Sequence, residues 1–227
     1  MIVNIIRASF CLVLVFLATS AIAQLAPADP WEADIARFEQ ADRIDPPKPG
    51  SVLFIGSSSI RFWDSIETDF PDTRIIRRGF GGSEIRDATH FAGRIVVPYK
   101  PRLIVLYAGD NDLAAGRASA QVAADFTAFV ERVRRDLPTV AIAYIAIKPS
   151  PSRTAFLDAS RDANALIRSY AATQADIRYI DIFTPMLDAG GKPRRELFGH
   201  DMLHMNRAGY EVWISQLAPI LREFPTR

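Results

Sequence analysis

The chain alternates short apolar runs of strand length with longer stretches in which apolar residues recur at helical spacing. Residues 52–55, the LIVLY segment after Pro101, VAIAYIAI at 140–147 and IRYIDI at 177–182 predict strands, and residues 74–76 predict a shorter one. Between them, residues 59–70 predict a helix, and Ser83 is placed to cap another that runs to about Ala92. Val122, Phe126, Phe129, Val130, Val133 and Leu137 mark a third, which Pro138 ends. Ala163, Leu166, Ile167 and Tyr170 mark a fourth, and Tyr210, Trp213, Ile214, Leu217 and Leu221 a final one. Ahead of the first strand, WEADIARFEQADRI puts Trp31, Ile35, Phe38 and Asp42 or Ile44 near one face. This predicts a short helix on the outside of the domain, broken by DPPKPG at 45–50. Strand–helix alternation with continuous apolar strands implies a parallel sheet covered on both faces, an α/β fold.

The first residues follow a different logic. One positive charge, Arg7, precedes an apolar run from Phe10 to Leu17, and Ala21, Ile22 and Ala23 have the small-x-small form cut by signal peptidase. The run is short for a membrane span, which needs about 20 residues. Residues 1–23 are therefore expected to be a cleaved signal peptide. That leaves 24–50 as a linker with a short helix, 51–227 as the main domain, and a secreted or periplasmic product with no stable membrane insertion.

Cleavage removes the single cysteine, Cys11, and Arg7, so the 27 basic and 26 acidic residues become equal in number. A neutral chain argues against nucleic acid as a partner. Without cysteine, disulfides and thiolate metal sites are excluded.

In open parallel sheets, ligands bind at the carboxyl ends of the strands. Here those ends carry GSSS (56–59), GFGGS (79–83), AGDND (108–112) and, beyond the last strand, GHDMLHMNRAGY (199–210). Together they offer a serine hydroxyl, backbone N–H groups at helix starts, a side-chain amide, and an Asp and a His three residues apart. That is the equipment for acyl transfer: a serine activated by an imidazole, a carboxylate to orient the imidazole, and donors for an oxyanion. The oxyanion candidates are the Ser58 and Gly82 N–H groups and the Asn111 side chain. Each cluster has a plainer reading as a cap, an anion-binding turn, an acidic turn, or a metal site at His200, Asp201 and His204. Their coincidence at successive strand ends favours catalysis.

The four blocks, in order, resemble those of the SGNH hydrolases, also called GDSL esterases/lipases. The likeness runs from about Val52 to the C-terminus. It implies Ser58 as nucleophile, Gly82 and Asn111 as oxyanion donors, and Asp201 and His204 as the rest of a triad. The family's Asp after the first glycine is Ser57 here, as in a bacterial subgroup with GSSS, and Arg77 stands where an Asn often opens the second block. The resemblance further implies a flavodoxin-like three-layer α/β/α sandwich with a five-stranded parallel sheet in the order 2-1-3-4-5, and ester hydrolysis without metal or organic cofactor. The expected activity is that of a serine carboxylesterase on short acyl esters. A carbohydrate O-acetyl esterase is the alternative with the same triad, and a non-catalytic ligand-binding protein the alternative of another class. The substrate is expected to be a small-molecule or glycan ester. Trp63 and Lys148 are candidate substrate contacts, with core packing the rival role for Trp63 and plain surface charge for Lys148. Arg77 is expected to be a solvated surface arginine, with altering the local turn or helping to bind a polar substrate as the other roles.

Overall fold

The computed structural model describes residues 29–225; the expected signal peptide and the start of the linker lie outside them. Helix α1 (Glu32–Ile44) leads into β1 (Val52–Gly56), followed by the one-turn helices α2 (Ser58–Arg61) and α3 (Ile66–Asp69) and strand β2 (Ile75–Gly79). Then come α4 (Ile85–Ile95), β3 (Leu103–Tyr107), α5 (Asp110–Ala114), α6 (Ser119–Arg134) and β4 (Ala141–Ile145). The chain ends with α7 (Leu157–Ala172), β5 (Ile177–Ile180) and α8 (Arg207–Arg222).

The five strands form one parallel sheet in the order β2-β1-β3-β4-β5. Strand side chains alternate between faces, and both faces are apolar. Leu53, Ile55, Ile104, Leu106, Ile142 and Tyr144 pack against Ile35, Phe91, Phe126 and Ile167 from α1, α4, α6 and α7. Val52, Phe54, Leu103, Val105 and Ile145 pack against Ile60, Ile66, Trp213 and Leu217 from α2, α3 and α8. The result is the three-layer α/β/α sandwich.

Two local expectations change. The helix expected over 59–70 is broken at Phe62–Ser65, leaving two single turns. Arg77 on β2 accounts for the break: its Nη1 donates to the carbonyls of Arg61 (3.3 Å) and Trp63 (2.9 Å) and to the Asp64 carboxylate (2.9 Å). These carbonyls need partners where a helix stops, so Arg77 is a turn staple rather than a solvated arginine. The cap of α4 is Glu84 and not Ser83: Asp87 accepts the Glu84 N–H (2.7 Å), and Asp112 accepts that of Ile85 (3.0 Å).

Helix α1 is bound more closely than an outer appendage. Ile35 is fully buried in the core, while Ile44 points to solvent. Its acidic side meets two arginines. Arg94 pairs with Glu32 and Glu39, and Arg78 pairs with Asp42 beneath the Tyr99 hydroxyl. Among the described residues no helix is long and apolar enough to cross a membrane.

Candidate active site

Strand β1 ends at Gly56, whose φ is +142° and where a Cβ would lie 1.8 Å from the Tyr107 carbonyl oxygen; only glycine passes this point. The chain then turns directly into α2. Ser57 and Ser59 face inward at 1 % exposure, whereas Ser58 is partly open. None of the three hydroxyls caps the helix. The Ser58 Oγ instead lies 3.0 Å from His204 Nε2. As the first residue of α2, Ser58 also has an N–H without an acceptor inside the helix.

The other half of this contact comes from the loop before α8. The Gly199 N–H donates to the His204 carbonyl (2.8 Å), and Phe198 bridges Met205, which closes the loop on itself. Within it, Asp201 Oδ2 lies 2.5 Å from His204 Nδ1, while Oδ1 accepts the N–H groups of Leu203 (3.0 Å) and His204 (2.9 Å). Those backbone donors, with the imidazole contact, hold the Asp201 carboxyl well below the usual carboxylate range. Asn206 caps α8 by accepting the Gly209 N–H, and Tyr210 donates to the Ser59 carbonyl (2.9 Å), which ties α8 to the serine turn. Both ring nitrogens of His204 face protein partners, so the alternative of a metal on His200, Asp201 and His204 loses its central ligand. Among the described residues no group of three His, Cys, Asp or Glu side chains could hold a metal ion.

Gly82 sits in the turn of residues 80–83 with φ +83°. The neighbouring Gly81 is close to the serine: a Cβ built on it would lie 4.0 Å from Ser58 Cβ. Asn111, in α5, donates through Nδ2 to the Ser83 carbonyl (3.0 Å) and accepts at Oδ1 from Arg153 Nη2 (2.9 Å). Its amide orientation is thereby set from both ends, and one N–H is left over.

Two expected substrate contacts are corrected. Trp63 is fully buried, its indole N–H on Asp69 Oδ2 (2.8 Å) and its ring against Phe54, Tyr210 and Trp213. Lys148 is only 2 % exposed and donates to Asp110 Oδ2 (2.6 Å) and the Tyr107 hydroxyl (3.1 Å). A buried ammonium requires such partners. Burial alone would raise the Asp110 pKa, but the Lys148 and Arg153 charges outweigh it and hold the carboxylate ionised. The aromatic that does border the site is Phe62, half exposed, with its ring edge-on to His204 at 4.9 Å between centroids. Its place beside the GSSS helix was the only sequence signal for it.

The family model described as the GDSL-like Lipase/Acylhydrolase family matches residues 56–212. No curated protein matches the chain. Several solved structures share its fold. A protein named as an acylhydrolase from Bacteroides fragilis is 21% identical, covering 85% of this chain and 97% of its own, at a TM-score of 0.74. A GDSL-like lipase from Bacteroides thetaiotaomicron is 19% identical over 84% and 98%, at 0.71. A family 3 carbohydrate esterase from Clostridium thermocellum is 16% identical over 79% and 100%, at 0.62.

Proposed function

Since this chain belongs to the GDSL-like lipase/acylhydrolase family, we propose that it is a serine esterase using Ser58, His204 and Asp201. The observation that carries the reading is the unbroken chain of contacts from Ser58 Oγ through His204 to Asp201, at 3.0 and 2.5 Å. With the imidazole proton on Nδ1, donated to Asp201, Nε2 is free to accept the Ser58 proton. The alkoxide attacks the ester carbonyl carbon, and the carbonyl π electrons move to oxygen. The N–H groups of Ser58 and Gly82 and the spare Asn111 N–H stabilise that oxyanion. Collapse expels the alcohol, which takes the proton from His204 and leaves an acyl-Ser58. Water, deprotonated by His204, then releases the acid and restores the serine.

Short acyl chains fit an edge at which Phe62 is the exposed apolar ring beside His204. The likeness to a carbohydrate esterase keeps a second reading in view, removal of O-acetyl groups from a glycan by the same steps. The expected leader places either reaction outside the cytoplasm.

A serine-reactive phosphonate should label Ser58, and Ser58→Ala should lose hydrolysis of p-nitrophenyl acetate by about 10⁴-fold or more. Full activity of the purified, folded variant would overturn the scheme. Retained folding with no turnover in the unmodified protein would favour the ligand-binding alternative. A series of esters of rising chain length, run beside acetylated sugars, separates the two enzymatic readings.

A further inference from the structure

Gly82 supplies an N–H whose direction depends on one peptide plane. In a trans peptide the carbonyl of residue 81 and the N–H of residue 82 point in opposite directions. Residues 80–83 form a turn closed by the Ser83 N–H on the Phe80 carbonyl (3.4 Å), and φ of +83° at its third residue is that of a type II turn. The central peptide of such a turn lies between two glycines here. Rotating it by about half a turn gives the type I form, which has negative φ at the third residue, and glycine accepts both forms without steric cost. Nothing in the local sequence therefore decides which way the Gly82 N–H points.

A residue fifty positions upstream bonds to the carbonyl of that peptide. Trp31, at the start of α1, donates its indole N–H to the Gly81 carbonyl at 3.0 Å. Its ring stands edge-on to Phe80, 6.2 Å between centroids. Trp31 is itself held at both sides: its N–H lies on Asp29 Oδ1 (3.0 Å) and its carbonyl accepts the Ile35 N–H (3.0 Å). The ion pairs of Arg94 with Glu32 and Glu39 then fix α1 against α4.

We propose that Trp31 is a positioning residue for ester hydrolysis, holding the Gly81–Gly82 peptide with its N–H turned toward the oxyanion. Helix α1, which lies outside the segment matched by the family, would then be part of the catalytic apparatus. The inference rests on the reading of Gly82 as an oxyanion donor.

Trp31→Phe keeps the aromatic contact with Phe80 and deletes the donor. The expected result is a fall in kcat of about tenfold or more, short of the 10²–10³ seen when an oxyanion donor is removed outright, with KM within about twofold. Phosphonate labelling of Ser58 should slow in parallel, because that reaction also places charge on an oxygen in the same position. Unchanged kcat in folded Trp31→Phe overturns the proposal. Should Trp31→Phe fold poorly, benzothienylalanine at position 31 replaces the N–H by sulfur with nearly the same shape. A fall in kcat with this analogue supports the proposal, and wild-type kcat overturns it. If Ser58→Ala stays active, the hydrolase reading itself fails and this one with it. If Ser58→Ala is dead while the analogue at 31 is fully active, only the role of Trp31 is lost.

Discussion

Three adjacent serines with the same chemistry end in two environments: Ser57 and Ser59 are buried, and Ser58 between them is partly open and faces His204. Only Ser58 combines access with an imidazole. The neighbouring Asn111 amide retains little freedom. Its oxygen is committed to Arg153 and one N–H to Ser83, so the remaining N–H has one direction left. Asn111→Ala should reduce kcat on the order of a hundredfold. Asn111→Asp should be worse. It keeps the acceptor for Arg153 but removes both N–H donors and sets a negative charge facing the developing oxyanion. Steady-state kinetics with p-nitrophenyl acetate check the order, and an Asn111→Asp enzyme faster than Asn111→Ala would count against the oxyanion role. Both variants should leave KM close to wild type, because the contact strengthens only as charge appears.

At the scale of elements, the break between α2 and α3 turns the serine helix into a single turn whose last carbonyl, that of Arg61, is taken up by Arg77. Arg77→Ala should leave the partly buried Trp63 carbonyl with only the Ile66 N–H (3.3 Å), remove the donor to the Arg61 carbonyl, and destabilise the fold by roughly 1 kcal/mol. Urea titration would register this, and an unchanged midpoint would refute the staple. This break also marks where reading the sequence reaches its limit. Apolar runs revealed the strands, and their order followed from the block resemblance, because a parallel strand buried on both faces leaves a continuous signal. That the GSSS serines and the Asp201–His204 loop would meet was readable because the first lie just past a strand and the second in the loop before the last helix, and the block resemblance singled out Ser58. Hydrophobic spacing, however, reports which side of one element is buried and not what lies across from it. It could not show that Lys148 meets Asp110, 38 residues away, or that Trp63 is sealed among Phe54, Tyr210 and Trp213. It equally missed that the first tryptophan reaches Gly81, since a 50-residue hydrogen bond leaves no periodic trace.

Gathering polar groups at one edge of the sheet has a cost borne by the whole molecule, and Asp112 is where it is concentrated. One of its oxygens accepts the Ile85 N–H at the start of α4, and the other is buried without a partner. Burial pushes its pKa up to about 7, aided by the nearby Glu84 and Asp110 charges and opposed by the Ile85 hydrogen bond. In the unfolded chain the same carboxyl titrates near 4. Between these values the native state holds a proton that the unfolded state has released, so stability must fall as pH rises through this window. The contribution is fully present below about pH 4 and lost above about 7, and it corresponds to as much as about 4 kcal/mol. Asp112→Asn preserves an acceptor for Ile85 and cannot ionise. Its stability relative to wild type should therefore be greater at pH 8.5 than at pH 5, by roughly 2–3 kcal/mol. Asp87, also raised by burial, retains part of the slope in both proteins, so the diagnostic quantity is the difference between them. Urea midpoints of wild type and variant at the two pH values decide it: a difference that does not grow with pH would show that Asp112 stays ionised in the native protein throughout.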